Sequence, residues 1–170
     1  MQLHQKNKLL TETEFLRLIQ ERSGSFYRVA YGYVHHTEDA KDVVQEAVCK
    51  AYVSLGRLKD PEKFYPWFYR ILANTALSHL RRSSRFQCWE ADWEEARGLA
   101  QEEQWGDSIW LQDALHCMDP QSRTVIVLKV YECMTFCEIA QILKKTENTV
   151  KTIYYRGLKT MRERMQVNGC

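Results

Sequence analysis

The chain has 170 residues and a formal net charge of +2, and 45% of its residues are apolar, with only 7 Gly and 3 Pro. These numbers exclude collagen-like, mucin-like and wholly disordered chains and indicate one or two small globular domains. The longest apolar runs, such as residues 125–128, fall far short of the roughly 18 residues that a membrane span needs, and the N-terminus lacks a signal-peptide core, so we expect a cytoplasmic protein without membrane insertion.

The small net charge conceals a segregation along the chain. Residues 1–82 hold 13 basic and 9 acidic side chains, residues 83–107 hold 2 and 7, and residues 108–170 hold 9 and 6. Two basic blocks separated by an acidic one predict two modules that face polyanions, joined by an acidic linker that also carries Trp89, Trp93 and Trp105. A solvated surface of uneven charge explains the same pattern and stays open at this point.

The predicted elements are all helices, because apolar residues recur at intervals of three and four while no stretch alternates with period two for long. The predicted fold class is therefore all-α, with two small helical domains joined by the acidic linker and a helix-turn-helix in the C-terminal one. In chain order, the predicted helices cover residues 12–22, 25–35, 38–55, 62–82, 109–117, 120–132, 136–143 and 147–165. The side chains expected to cap helix starts are Thr11, Thr37, Asp60, Asp119, Thr135 and Thr146.

The helix predicted at 38–55 has the clearest amphipathic pattern. Its apolar stripe comprises Ala40, Val43, Val44, Ala47, Val48, Ala51, Tyr52 and Leu55. Its polar face holds Asp39, Asp42 and Glu46 at helical spacing, with Gln45 beside them. Plain solvation accounts for such an acidic stripe unless a partner is identified.

The helix predicted at 62–82 begins with five aromatic residues in six positions and ends in arginines. Helical spacing leaves Tyr65 and Tyr69 outside, beside Arg70 and the arginines at the helix end, and sends inward Phe64, Trp67, Phe68 and Ile71. Aromatic faces interleaved with guanidinium groups suit unstacked single-stranded bases, because stacking holds a base and the cations hold its backbone. The alternative is an aromatic-rich core with a basic helix end.

The C-terminal block has the spacing of a helix-turn-helix, with one short helix at 136–143, a turn at 144–145 and a second helix beyond Thr146. The inward residues of the second helix are expected to be Val150, Tyr154, Leu158 and Met161, and its exposed face Asn148, Lys151, Thr152, Tyr155 and Lys159. Residues 144–164 contain seven basic and two acidic side chains, which favours a helix that enters a DNA groove. A basic helical hairpin that binds nothing is the alternative.

Three sets of residues together carry a family resemblance. They are the run DAKDVVQEA at 39–47, the pattern Phe64-x-x-Trp67-Phe68-x-x-Ile71-x-x-Asn74, and the segments 119–123, 138–140 and 148–151. In this order and separation, over residues about 12–165, the chain resembles the extracytoplasmic-function (ECF) sigma factors of bacterial RNA polymerase.

The resemblance implies an initiation factor that directs promoter-specific transcription in a stress or envelope response. It implies no enzymatic activity and no cofactor, and three partners: core RNA polymerase, promoter DNA and an anti-sigma factor. Residues 1–82 would form the region 2-like domain that binds polymerase and melts the minus-ten element. Residues 83–107 would form the linker, and residues 108–170 the region 4-like domain that reads the minus-thirty-five element.

Site residues follow from the same resemblance. Core polymerase binding is expected at Asp39, Asp42, Gln45 and Glu46. Minus-ten DNA binding is expected at Lys59, Asp60, Tyr65, Trp67, Tyr69, Arg70, Asn74, Arg81 and Arg82. Minus-thirty-five DNA binding is expected at Thr146, Asn148, Thr149, Lys151, Thr152, Tyr155, Arg156 and Lys159. In the linker, acidic residues that stand in for nucleic-acid phosphates inside polymerase would be Glu90, Asp92, Glu94, Glu95, Glu102 and Glu103.

The chain departs from the family pattern at three places. Ser78 stands where the family commonly has Asp, Ile153 stands where Arg is frequent, and the loop 58–63 contains no Asn, so base preferences do not transfer. Two other functions remain alternatives: a helix-turn-helix regulator that acts without polymerase, and a metal- or thiol-sensing module. The second would use Cys133 and Cys137 with His116 or Cys117.

Overall fold

A computed structural model describes residues 10–82, 114–115 and 118–167, with side chains up to residue 164. Within these ranges every regular element is a helix, which confirms the predicted all-α class. The elements are α1 (Glu12–Glu21), α2 (Ser23–Val34), α3 (Thr37–Val53), α4 (Phe64–Arg82), α5 (Pro120–Tyr131), α6 (Phe136–Leu143) and α7 (Glu147–Val167). Two short 3₁₀ turns, Leu55–Arg57 and Pro61–Lys63, connect α3 to α4. Of the helix predicted at 109–117, only the helical residues 114 and 115 are described.

Capping side chains begin most of these helices as expected. Thr11 and Thr135 each form a capping box with the glutamate three residues later. The prediction that Thr37 caps α3 is wrong. His36 takes that position, because its Nδ1 lies 3.3 Å from the backbone nitrogen of Asp39 and accepts its hydrogen bond, and Thr37 becomes the first helical residue.

The N-terminal helices pack around aromatic and small apolar side chains. Phe26 of α2 and Phe68 of α4 lie with ring centroids 4.4 Å apart, and the alanines of α3 are fully buried against them. One member of the predicted apolar stripe is misplaced. Tyr52 is 47% exposed, because its ring lies at the edge of the packed face against Phe15 and its hydroxyl reaches out to donate to Glu12.

The C-terminal helices form the predicted helix-turn-helix, with α6 and α7 packed on each other and α7 packed on α5. Gly157 permits the close approach of α7 to α5, since a Cβ there would lie 2.9 Å from Ile126 Cδ1. The turn between α6 and α7 places Lys144 in the left-handed region at φ 54°, and the backbone N–H of Lys145 donates to the carbonyl of Ala140.

The two groups of helices lie directly against each other. Helix α2 packs on α5, and α4 packs on α6, so that one apolar core runs through both groups. A smaller apolar cluster, formed by Leu115, Met118 and Ile126, lies beneath α7. In the part of the chain that the structure describes, none of the helices combines the length and apolar character that a membrane-spanning segment needs.

Candidate nucleic-acid interface

The acidic stripe, defined as Asp39, Asp42, Gln45 and Glu46, lies along the polar side of α3. Asp42 and Gln45 are exposed, whereas Asp39 and Glu46 are partly covered by α4. An Asp39 carboxylate oxygen lies 3.7 Å from Nε2 of His79, and Glu46 accepts two hydrogen bonds from Nη2 of Arg82, at 2.9 and 3.1 Å. The stripe therefore has two members that face outward and two that hold α3 to α4.

Within the acidic stripe, Glu46 forms ion pairs with two cationic side chains, Lys50 and Arg82. Lys50 lies 2.7 Å from one of its carboxylate oxygens, and this hydrogen bond, followed by that of Arg82, outweighs the partial burial and holds the pKa of Glu46 below its ordinary value. Lys50 also reaches Thr75 on α4, at 3.4 Å. Glu46 stays ionised at neutral pH and fixes the position of an arginine expected to contact DNA.

At the aromatic start of α4, Trp67, which was expected inward, is half-buried, and Tyr69 lies on the opposite side from its expected position. Phe64 and Phe68 are buried as predicted, and Tyr65 is half-buried, but Tyr69 is only 1% exposed. The prediction that Tyr69 points outward is wrong. Phe26 packs against its ring, and its hydroxyl donates a hydrogen bond at 3.2 Å to Glu132, at the C-terminal end of α5. Burial, with the Glu132 charge adding to it, raises the pKa of Tyr69 to about 12.

The remaining residues assigned to the minus-ten element lie along the exposed side of α4 and in the loop before it. Asn74, Arg81 and Arg82 are exposed, while Trp67 and Arg70 are half-buried. In the loop, Lys59 is exposed, and Asp60 caps the 3₁₀ turn that leads into α4 by accepting from the backbone nitrogen of Glu62. The structure therefore brings together an exposed row of polar and basic side chains, with Tyr69 excluded from it.

The exposed face of α7 follows the helical spacing that the sequence predicts. Lys151 is half-buried, and the other residues assigned to the minus-thirty-five element are exposed: Thr146, Asn148, Thr149, Thr152, Tyr155, Arg156 and Lys159. Thr146 accepts from the backbone nitrogen of Thr149 at 3.2 Å and so caps the helix. Val150 and Ile153 are buried behind this face. Ile153, which stands where the family often has Arg, thus belongs to the core.

Two of the lysines on this face have acidic neighbours one turn away. Lys151 lies 2.7 Å from Glu147 and Lys159 lies 3.9 Å from Glu163, all on α7. The Glu147 hydrogen bond raises the pKa of Lys151, so that this side chain is cationic at neutral pH. Surface ion pairs of this kind contribute little to stability, so a DNA phosphate can take the place of either glutamate.

Sequence reasoning missed a set of residues at the boundary between the two groups of helices. Arg28 of α2 pairs with Glu132 at 3.1 Å, and Tyr33 of α2 donates to Thr124 of α5 at 2.7 Å. No local signal marks them, because each partner lies about a hundred residues away along the chain. Another missed residue is Arg22, whose guanidinium carbon lies 4.0 Å above the Tyr65 ring.

Residues that bear on the metal or thiol alternative are only partly described. Cys133 and Cys137 are exposed, whereas His116 and Cys117 lie outside the described residues, as do Trp89, Trp93, Trp105 and the acidic residues of the linker. Among the described residues, no group of three or more His, Cys, Asp or Glu side chains is arranged to hold a metal ion.

Comparison with known proteins matches both groups of helices to described families. Residues 18–86 match the family described as Sigma-70 region 2, and residues 108–161 match Sigma-70, region 4. The RNA polymerase sigma factor SigV of Bacillus subtilis is 35% identical over 157 residues, which cover 92% of this chain and 94% of that protein. The chain belongs to the ECF sigma factors.

A further relative supports the same assignment, and a solved structure shows the same fold. The ECF RNA polymerase sigma factor SigW of Bacillus subtilis is 26% identical over 166 residues, covering 89% of each chain. The fold is similar to that of the sigma factor RpoE of Bartonella quintana, solved with the anti-sigma factor NepR, with a TM-score of 0.65 and 20% identity over 91% of this chain and 98% of that one. As an ECF sigma factor, the chain binds core RNA polymerase and directs promoter-specific transcription initiation.

Proposed function

We propose that the two matched regions divide the work of promoter recognition. The domain of residues 1–82 binds core polymerase through the acidic stripe and opens the minus-ten element along α4. Residues 83–107 form the linker, and the domain of residues 108–170 reads the minus-thirty-five element with α7. The observation that carries this proposal is the exposed, basic face of α7 over a buried apolar side, together with the exposed arginines at the end of α4.

Within the acidic stripe, the structure favours different roles for its members. Asp42 and Gln45 are the exposed candidates for polymerase contact, whereas Asp39 and Glu46 also hold α3 to α4. At the minus-ten element, Tyr65 is the accessible aromatic residue for base stacking. These placements support a proposal in which polymerase contact and DNA contact share the α3–α4 pair.

The chain itself performs no catalysis in this proposal, because polymerase supplies the chemistry. We place it in the cytoplasm, where polymerase and promoter DNA are found, and in a stress or envelope response, which is typical of ECF sigma factors. An anti-sigma partner is proposed as well. The Bartonella quintana sigma factor of similar fold was solved with such a partner.

The decisive experiment is transcription with purified core polymerase, with and without the full chain, on fragmented genomic DNA of the organism that encodes it. Mapping of RNA 5′ ends should show starts that depend on the chain and share an upstream sequence. Starts that are unchanged by the chain would contradict the proposal. Duplex binding without polymerase-dependent starts would favour the regulator that acts alone, and metal analysis of the same preparation tests the metal-sensing alternative.

The role of the linker requires a separate test. Changing Glu90, Asp92, Glu94, Glu95, Glu102 and Glu103 to Gln or Asn should alter initial RNA synthesis and promoter escape but not promoter choice, if these acids mimic RNA phosphates inside polymerase. Normal synthesis and escape in this variant would identify the linker as a solvated tether.

A further inference from the structure

The carboxylate of Asp39, a member of the acidic stripe, lies between two histidine rings. Its Oδ2 atom is 3.6 Å from Nδ1 of His36, at the start of α3, and its Oδ1 atom is 3.7 Å from Nε2 of His79, on α4. The side chains of Asp39 and His79 are 24% and 21% exposed, so solvent screens their contact less than it screens a fully exposed pair. The proposed polymerase surface therefore has two titratable groups against one of its acids.

His36 is neutral in this arrangement. Its Nδ1 atom accepts the hydrogen bond of the Asp39 backbone nitrogen at 3.3 Å and so caps α3. A ring nitrogen that accepts a hydrogen bond carries no proton, and protonation of Nδ1 turns that atom from an acceptor into a donor. The Asp39 carboxylate oxygen at 3.6 Å is placed to receive this new hydrogen bond. Protonation of His36 thus exchanges a helix cap for an ion pair with the same residue.

His79 approaches the same carboxylate from a different helix. The two imidazole rings lie nearest different oxygens of Asp39, so both can pair with it at the same time when they are protonated. Histidine side chains in general change charge between about pH 5 and 8. Over this range, up to two positive charges are added to a surface whose proposed function depends on negative charge.

The charged groups around this site differ from the histidines in their chemistry. Neighbouring charges on α3 and α4 form ion pairs between carboxylates and lysine or arginine, which are Glu38–Lys41, Glu46–Lys50 and Glu46–Arg82. Asp42 of α3 and Arg81 of α4 are exposed. From α2, the other helix that packs on α3, His35 packs its ring edge-on against Tyr31, with centroids 5.9 Å apart, and Arg28 pairs with Glu132. Asp39 therefore differs from Glu46, because its histidine partners gain and lose charge near neutral pH.

We propose that His36 and His79 make the polymerase-binding surface of this sigma factor sensitive to pH, by neutralising the charge of Asp39 when they are protonated. This inference rests on the proposed role of the acidic stripe in polymerase binding. At alkaline pH the Asp39 carboxylate attracts basic groups of polymerase, whereas at acidic pH the imidazolium groups of the same chain hold it. Because polymerase binds the deprotonated form more tightly, acidification lowers the affinity, and polymerase binding in turn releases protons.

The test is a competition for core polymerase with full-length proteins. A fluorescently labelled double variant, His36→Asn with His79→Gln, is displaced by unlabelled wild type or by the unlabelled double variant at about pH 6 and about pH 8. The groups of polymerase titrate equally against both competitors, so the ratio of the two affinities reports only the histidines. His36→Asn retains the helix cap, because an asparagine oxygen also accepts from a backbone nitrogen of the first turn, and it cannot be protonated.

The ratio of affinities should change with pH in one direction. At about pH 8 the wild type and the double variant should bind equally, and at about pH 6 the wild type should bind about threefold to tenfold less tightly, as for two charges at the rim of an interface. His79→Arg, which has a permanent charge, should bind less tightly than wild type already at about pH 8. Gln20→Arg adds the same charge at an exposed position of α1, outside the stripe, and should bind like wild type.

A ratio of affinities that is the same at both pH values would overturn the proposal. Circular dichroism checks that each variant is folded, and if the double variant is not, His79→Gln alone decides. Asp42→Ala separates this inference from the role of the stripe. If Asp42→Ala weakens binding while the ratio is constant, only the pH sensitivity is wrong. If the ratio changes as expected while Asp42→Ala binds normally, the pH sensitivity stands and the proposed contact surface of the stripe is wrong.

Discussion

At the scale of single residues, the structure places strain and buried charge at positions that local sequence patterns do not explain. Lys144 adopts a left-handed conformation at the end of α6, where a glycine would be free of steric cost. Arg123 is 2% exposed, and its Nε donates to the carbonyl of Leu115 at 2.6 Å. Lys144 thus takes an unfavourable backbone conformation within the turn, whereas Arg123 connects the segment before α5 to α5 itself.

Replacing Lys144 should therefore stabilise the protein. Lys144→Gly is expected to increase the free energy of unfolding by about 0.5–1 kcal/mol, because glycine adopts a positive φ without the Cβ clash. Urea unfolding followed by circular dichroism measures the change. Lys145→Gly, at the adjacent position, should destabilise or leave stability unaltered, and equal stabilisation by both variants would contradict the explanation.

Removing the buried guanidinium should have the opposite effect. Arg123→Leu is expected to lower the free energy of unfolding by about 2–3 kcal/mol, because the carbonyl groups that the arginine satisfies are left buried without it. Arg162→Leu, at an exposed position on α7, serves as the control and should change stability by less than about 0.5 kcal/mol. Similar thermal midpoints for the two variants would show that the buried hydrogen bonds contribute little.

At the scale of elements, α3 and α7 each present one exposed polar face, but the faces differ in how their charges are held. The acidic stripe of α3 has two members bonded to α4, so a variant that removes all its acids also disturbs the α3–α4 contact. The charges of α7 are paired only with neighbours on the same helix among the described ion pairs. Substitutions on α7 consequently test binding more directly.

For polymerase binding, Asp42→Ala is the cleanest single change in the stripe, because Asp42 is exposed. We expect affinity for core polymerase to fall about twofold to fivefold, as for one charged contact worth up to about 1 kcal/mol, and to fall less at high salt. Glu62→Ala removes another exposed acid, outside the stripe, and should bind normally. The affinity of each variant is measured by its competition with labelled wild-type protein for core polymerase.

For duplex binding, the charges of α7 can be counted through salt dependence. Lys151→Ala together with Lys159→Ala should weaken binding to a duplex with the minus-thirty-five element and reduce the salt slope by about 0.9 for each phosphate that the variant no longer neutralises. Lys41→Ala, on α3, is the control and should leave the slope unaltered. A weaker affinity with an unaltered slope would mean that these lysines do not bind phosphates.

At the scale of the whole molecule, the domain interface should respond to alkaline pH. Burial is the main reason that the pKa of Tyr33 is raised above its ordinary value of 10.0 and that of Tyr69 to about 12. Separated domains would expose both phenols, which then release protons above about pH 10, whereas the docked chain retains them. Docking stability is therefore fully present below about pH 10 and declines as the pH rises toward about 12.

This decline can be separated from other alkaline effects with a conservative variant. We expect the radius of gyration of the wild type to increase between about pH 9 and 11 more steeply than that of the double variant Tyr33→Phe, Tyr69→Phe, which carries no phenol at these two interface positions. Superimposable pH profiles for the two proteins would exclude the buried tyrosines as the cause. Far-ultraviolet circular dichroism distinguishes undocking from unfolding, since undocking preserves the helices.

Local sequence determined the helices, most of their caps and the exposed face of α7. These properties depend on residues three or four positions apart, so the pattern around Val150 and Lys151 contains the information needed to orient α7. The acidic stripe and the family were predictable for the same reason, because their residues lie in continuous runs. The choice of His36 rather than Thr37 as the cap of α3 was not predictable from the sequence, since both side chains can cap a helix and they are adjacent.

Only the tertiary structure decided that Tyr69 is buried and that Asp39 and Glu46 hold α4. Helical spacing shows that Tyr69 lies away from Phe64, but not that Glu132, 63 positions later, covers it. Contacts of such sequence separation depend on how the two groups of helices pack, and no periodicity within one helix records the surface of another. The docking of the two groups of helices, and with it the burial of Tyr69, is a property of the folded chain as a whole.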